Sequence, residues 1–304
     1  MISNNPFVSI VIITRHRPQL IGDCVRHILI QDYTPFEIIV VDASDDETTA
    51  HALPNDSRVR YVHLENAAHQ IPRSRNEGIR HSHGDIIAFI DDDSLVQPGW
   101  LRCLVANYTS PHVGGVGGLV LAPGETARTS GTLPRITATG SVLGDFNIRT
   151  PAPVPVDHLR GCNMSFTRQA LNMVGGFDIR LDQSNFRDET DVCVSIRRAG
   201  FQLIYDPNVA VVHLYSAKDG FQRDESQDPQ HYFSITKNIT YFRLKHFFSL
   251  QTLLAVFIGA PILTALTNVR RYGTRGGWLI WNDWRGRLAG WQTFFEYRRS
   301  KHNA

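Results

Sequence analysis

Ile86-Ile87-Ala88-Phe89-Ile90-Asp91-Asp92-Asp93-Ser94 decides the reading of this chain, because five apolar residues lead straight into three carboxylates. A continuous apolar run of this length predicts a strand covered on both faces, with the carboxylates at its C-terminal tip. Three adjacent carboxylates repel one another unless a cation offsets them. Aspartate oxygens are hard ligands, so Mg2+ or Mn2+, with a diphosphate completing its shell, is the expected cofactor. A solvated acidic turn that caps the next helix is the plainer alternative.

Upstream of this strand, Phe7 to Ile13, Phe36 to Val41 and Val59 to Leu64 are short runs rich in β-branched residues, separated by helix-like stretches. With Asp85 to Ile90 they make a βαβ rhythm, which predicts an α/β fold with a mostly parallel central sheet flanked by helices. Ligands of such sheets collect at the carboxyl ends of the strands. Thr14-Arg15 and Asp42-Ala43-Ser44-Asp45-Asp46 occupy two of those ends, so residues 1–110 are expected to form a binding half.

The rhythm breaks near residue 111, at Val113-Gly-Gly-Val-Gly-Gly-Leu119, and a Pro, Gly and Thr-rich stretch to Asp157 reads as a functional loop or a loosely ordered wall. A second compact section, from Gly161 to about Tyr215, contains a helix expected from about Asp188 to Ala199, ended by Gly200. Asp188-Glu189-Thr190-Asp191 opens it. The helix dipole accounts for one or two acids in a first turn; three in four residues also suit a general base. His213 closes the β-like run Val209-Ala-Val-Val-His213. A lone histidine there is more often core than ligand, although imidazole accepts Mn2+ better than Mg2+.

Phe247 to Leu266 is uncharged over twenty residues, but Ser249, Gln251, Thr252, Gly259, Pro261 and Thr264 dilute it. An interfacial hairpin or helix fits better than a bilayer span, and a buried core helix fits equally well. Beyond it Trp281, Trp284, Leu288, Trp291 and Phe295 share a helical face near Arg285, Arg287, Arg298 and Arg299, which suits anionic headgroups; a helix docked on the main domain is the alternative. The segment 246–304 is therefore expected to be helical, with a membrane surface or the main domain as the two candidates for what its apolar faces touch.

The 304 residues are 42% hydrophobic and 20% charged, an ordinary globular balance. A formal charge of +2 offers no general attraction to a polyanion, so no nucleic-acid partner is expected. Cys24, Cys103, Cys162 and Cys193 lack zinc-site spacing and read as reduced thiols. No basic segment precedes the first apolar run, which predicts a core strand and a cytoplasmic protein.

In order along the chain, these segments resemble the family 2 glycosyltransferases of the GT-A fold, from about Ser9 to about Tyr215. Ser9-Ile-Val-Ile-Ile-Thr14-Arg15 resembles the family's opening strand, and Val40-Val41-Asp42 its second strand end, where the resemblance makes Asp42 the reader of the nucleobase. Pro72-Arg73-Ser-Arg75-Asn76-Glu-Gly78 is similar to the R-N-x-G turn near the donor, which brings in Arg75 and Arg73. Phe89-Ile-Asp91-Asp92-Asp93 resembles the D-x-D element: Asp93 would hold the metal, Asp91 would face the ribose or sugar, and Asp92 joins the donor set. Gly161-Cys-Asn163-Met-Ser-Phe166 is similar to the segment beside the acceptor, which implies Gly161 and Asn163, with Gly175-Gly176-Phe177-Asp178 as its follower. Asp188-Glu189-Thr-Asp191 resembles the E-D-x-D helix start with the first two acids exchanged. This puts Glu189 at the catalytic position, with Asp188 and Asp191 as alternatives. His213 falls where many members of the fold carry a metal-binding histidine.

The resemblance implies metal-assisted, inverting transfer of a sugar from a nucleoside diphosphate, UDP first, to a hydroxyl, with 1–110 as donor half and 111–245 as acceptor half. The basic, aromatic C-terminus suggests a glycan or lipid-linked acceptor at the cytoplasmic face of a membrane. A catalytically silent assembly partner is the alternative suggested by the exchanged acids. A D-x-D phosphohydrolase of the haloacid-dehalogenase kind fits less well, because three βα units precede the aspartates. A nucleotidyltransferase would need a glycine-rich loop that Ile13-Thr-Arg-His-Arg-Pro18 lacks.

Overall fold

The computed structural model describes residues 5–184, 186–214, 229–264, 266 and 277–302. The chain divides into two compact units, one of residues 1–135, 143–178 and 189–217, the other of 136–142, 179–188 and 218–304.

The first unit is built on a sheet of β1 (Val8–Thr14), β2 (Phe36–Asp42), β3 (Val59–His63), β4 (Ile86–Asp91), β5 (Ser94–Val96), β6 (Val113–Leu121), β9 (Val154–Val156), β10 (Met164–Thr167) and β11 (Gln202–His213). A separate pair, β7 (Arg135–Ile136) with β8 (Val142–Leu143), lies in the stretch between β6 and β9. The sheet order is β3-β2-β1-β4-β10-β6-β11-β5, with β9 on β11. Strands β1 to β4 run parallel, β10 is antiparallel to β4 and β6, and β5 is antiparallel to β11. The parallel strands alternate their side chains between two apolar layers. Ile10, Ile12, Ile38, Val40 and Ile90 pack with α1 (Pro18–Leu29) and α4 (Trp100–Ala106), while Val11, Ile39, Val41, Ile87 and Phe89 join Phe166, Phe177 and Ile196. Burial on both sides explains why the runs read as continuous rather than alternating. Short α2 (Thr48–Ala52), α3 (Ile71–His81), α5 (Arg168–Val174) and α6 (Asp188–Arg198) complete the βα connections.

The glycine-rich run at 113–119, where the βα rhythm breaks, is the start of β6, buried from Val113 to Leu119. Its glycines admit close neighbours. A Cβ on Gly118 would stand 2.1 Å from Asp206 O and 2.2 Å from Val209 O, where β11 is irregular, and one on Gly115 would stand 2.7 Å from Phe166 Cδ1. The stretch from 122 to 153 is mostly turns, and Tyr205 ties it to β11 by donating to Ile148 O at 2.6 Å and Phe146 O at 3.0 Å.

In the second unit α7 (Pro229–Phe247) packs against α9 (Gly277–His302). The two backbones approach at Gly286 and Gly290, whose added Cβ atoms would meet Phe233 O at 2.7 Å and Lys237 O at 2.5 Å. Between them α8 (Leu250–Leu254), capped by Ser249, runs into a π turn at Ala255–Gly259. Arg287 closes a buried pair with Asp283 at 2.7 and 2.8 Å and donates to Val256 O at 2.7 Å. No described helix is long and apolar enough to cross a membrane.

Candidate active site

The turn from β4 into β5 carries the acidic cluster, and sheet register brings His213 to it: β11 ends antiparallel to β5, with His213 opposite Ser94. His213 Nε2 lies 3.0 Å from Asp93 Oδ1 and 3.9 Å from Asp91 Oδ2, and Leu214 N donates to Asp93 O at 2.7 Å. Arg75 Nη2 approaches Asp91 Oδ1 at 3.7 Å. Asp92 turns the other way. It is 4% exposed and accepts from Thr14 Oγ1 at 2.6 Å and from Arg17 Nη1 at 3.1 Å, while the same Arg17 nitrogen reaches Asp93 Oδ2 at 3.4 Å.

These contacts divide the titration behaviour of three adjacent aspartates. Burial, reinforced by Asp93 and Asp91, overrides the Arg17 charge and the Thr14 bond and raises Asp92 to about 6. Burial also pushes Asp93 up, but the bond and charge of His213, with Arg17, outweigh it and hold Asp93 below the usual carboxylate range. Burial disfavours the imidazolium of His213, yet the bond to and charge of Asp93, with Asp91 behind, raise it above its ordinary value.

Asp91, Cys162 and His213 offer one ligand atom each within 4.8 Å of one another. Carboxylate oxygens and an imidazole nitrogen suit a divalent ion of the Mn2+ kind, with Asp93 adjoining, so the residues present fit the expected metal. Neither Cys162 nor Arg17 was assigned from the sequence. The only signal was position: Cys162 stands inside Gly161-Cys-Asn163, and Arg17 in the basic turn after β1.

Arg75 draws three separated motifs together. Its guanidinium lies 5.4 Å over the Phe177 ring, and a Cβ on Gly161 would fall 2.9 Å from its Nη2. The next residue, Asn76, exchanges two 2.8 Å bonds with the Phe177 backbone, donating to the carbonyl and accepting from the N–H. Asp42 is fully buried at the end of β2. Its Oδ1 accepts from Ser44 N and Oγ at 2.9 and 2.5 Å and its Oδ2 from Tyr61 at 3.0 Å.

The remaining expected residues make other contacts. Arg73 is exposed and donates to Asn66 O and Gln70 Oε1 at 3.2 and 3.3 Å, and Arg15 pairs at 3.5 Å with the exposed Asp45. Asn163, expected on the acceptor side, is instead an internal brace. It is 1% exposed, donates to Leu119 O and Val209 O at 3.2 and 2.8 Å, and accepts from Trp100 Nε1 at 3.0 Å. Both amide hydrogens are spent on β6 and β11, because the strands leave carbonyls there that burial requires to be paired. In α6, Asp188 and Asp191 are each 2% exposed, whereas Glu189 is half-buried.

A mostly parallel sheet with acids at the end of β4 and a histidine returning on β11 defines a GT-A transferase fold, and solved structures share it. A mannosyltransferase of Pyrobaculum calidifontis, determined in complex with GDP-Man and Mn2+, is 20% identical with a TM-score of 0.57, over 94% of this chain and 88% of that one. GalNAc-T7, determined with UDP, GalNAc and Mn2+, is 15% identical with a TM-score of 0.61, over 86% of this chain and 58% of that one. The family model of glycosyl transferase family 2 matches residues 9–171, and the chain belongs to that family. It is similar to the glucosyl-dolichyl phosphate glucuronosyltransferase of Haloferax volcanii, 28% identical over 68% of each chain. Two further curated relatives are matched over only 25% and 18% of their own length.

Proposed function

We propose that this glycosyltransferase moves a sugar from a nucleoside diphosphate, UDP first, to a hydroxyl of a membrane-proximal or lipid-linked glycan, with inversion at the anomeric carbon. The observation that carries the reading is the meeting of Asp91, Asp93, His213 and Arg75 at one end of the sheet. Asp93 and His213, with Asp91, would hold a divalent ion, which when bound stabilises charge on the departing diphosphate. Arg75 adds fixed positive charge beside it, and Phe177 and Asn76 hold that segment in place. Asp42 and the Thr14-Arg15 turn would hold the nucleoside. Glu189, the least buried of the three acids opening α6, takes the proton from the acceptor hydroxyl as its oxygen bonds to the anomeric carbon and the diphosphate leaves. Residues 1–110 would then serve the donor and 111–245 the acceptor.

The relatives support this reading in kind. Mn2+ and a nucleotide or nucleotide sugar accompany both solved neighbours, and the Haloferax volcanii relative is named for a dolichyl phosphate carrier. Such an acceptor would put the protein at the cytoplasmic face of a membrane. A second reading, a silent assembly partner, draws on the exchanged Asp188-Glu189 order.

Thermal unfolding with UDP, GDP, dTDP and CMP, each with and without Mn2+, tests the donor site. A ligand at 100 times its dissociation constant adds about 2.7 kcal/mol. A metal-dependent response to one nucleotide is expected and names the donor class. No response to any of them overturns the proposal, and a response without turnover selects the silent partner.

A further inference from the structure

Large apolar side chains are exposed singly over much of the first unit but cluster in the second. Eleven of the sixteen that are exposed among the described residues fall between Phe248 and Phe295. On α9, Gly286 and Gly290 face α7, while Trp281, Trp284, Leu288 and Phe295 stand out at helical spacing, Trp281 66% and Leu288 60% exposed. The segment from Leu250 onward turns Val256 inward and sets Phe257 5.4 Å from the Trp291 ring. Its opposite side presents Leu250, Leu254, Ile258 and Ile262, and no charged residue occurs from Phe247 to Leu266. A helix side facing water would carry charge there.

The charges lie at the rim of this surface. On α9 the basic residues are Arg285, Arg287, Arg298, Arg299 and Lys301 against Asp283 and Glu296, and Asp283 is already neutralised by buried Arg287. Arg298 and Arg299 border a cleft of about 320 Å³ whose other walls are Phe248, Phe294 and Phe295. A guanidinium rim over an aromatic floor matches a phosphate headgroup above acyl chains. A second copy would bring the same cationic rim against itself, and no described helix here is long and apolar enough to cross a bilayer.

We infer that the second unit is a monotopic docking surface for an anionic lipid leaflet, with the Leu250–Ile262 and Trp281–Phe295 faces among the acyl chains and Arg285, Arg298, Arg299 and Lys301 on headgroup phosphates. This deepens the membrane-proximal part of the proposed function without depending on catalysis.

Co-sedimentation of the full chain with vesicles of phosphatidylcholine alone and with about one-third phosphatidylglycerol tests it. Binding to the anionic vesicles that weakens with salt is expected, and brominated acyl chains should quench the exposed tryptophans. Trp281→Glu with Leu288→Glu should lower binding at least tenfold, and Arg298→Glu with Arg299→Glu should erase the preference for the anionic lipid; both should keep the wild-type response to nucleotide. Wild-type protein that stays in the supernatant and is not quenched overturns the inference. So does a dimer dissolved by the Trp281 and Leu288 changes without vesicle binding, which assigns the face to a second copy. Vesicle binding without any nucleotide response would instead sink the donor-site reading alone.

Discussion

His213 Nε2 and Asp93 Oδ1 lie 3.0 Å apart although 120 positions separate them in the chain, because β11 returns antiparallel to β5 and ends opposite Ser94. If the pair holds a divalent ion, His213→Ala should raise the Mn2+ concentration for half-maximal transfer at least about tenfold, and Asp93→Ala should abolish transfer. Metal titration of activity and of nucleotide-dependent stabilisation reads both. Parental behaviour of the Asp93 variant would refute the metal assignment.

Thr14 anchors Asp92 from beneath the cluster. Thr14→Val keeps the shape and removes the donor, leaving a buried carboxylate with one bond fewer, which should cost about 1–3 kcal/mol. Urea unfolding measures this; an unchanged midpoint would show that Arg17 alone suffices.

Glu189 is the acid of α6 with solvent access. Glu189→Gln should lower kcat by about 10²–10⁴ while nucleotide stabilisation stays unchanged. Full activity would move the base role to Asp188 or Asp191, whose burial predicts that their own amide variants lose stability as well as rate.

Gly78 packs α3 on β1 so closely that a Cβ would stand 2.2 Å from Val11 Cγ1. Gly78→Ala forces either the helix or Val11 to move and should cost about 1–3 kcal/mol, read by denaturant unfolding. Pairing it with Val11→Ala should recover part of that loss, as a steric origin requires.

Glu37 sits at the opposite end of the strands, where burial works against its charge but bonds from Ser9 and His83 outweigh it and hold its carboxyl below the ordinary 4.5. A lowered folded pKa contributes stability that is complete above the ordinary value and is lost as pH falls through the folded one. The stability difference between wild type and Glu37→Gln should therefore be constant above about pH 5 and shrink on acidification below it. A difference that persists unchanged to pH 3 would place the stabilisation in packing instead.

Local pattern was sufficient wherever side chains announce their own environment. Four apolar runs marked β1 to β4 because side chains that meet apolar layers on both faces of a sheet are mostly apolar themselves, and Asp91-Asp92-Asp93 marked a strand end because three adjacent carboxylates need cationic or hydrogen-bonding partners to offset their repulsion. The ordered motifs from Ser9 to His213 were enough to indicate the family. The glycines of β6 carried no such signal, since a residue without a side chain has no periodicity; only Phe166, Leu203 and the Asp206 carbonyl pressing on them explain their presence. Which neighbour each polar group answers was likewise a matter of tertiary structure. Sheet register sent Asp93 to His213, packing turned Asp92 inward to Thr14 and Arg17, and the carbonyls of β6 and β11 claimed Asn163, because hydrogen bonds and ion pairs are satisfied through space rather than along the chain.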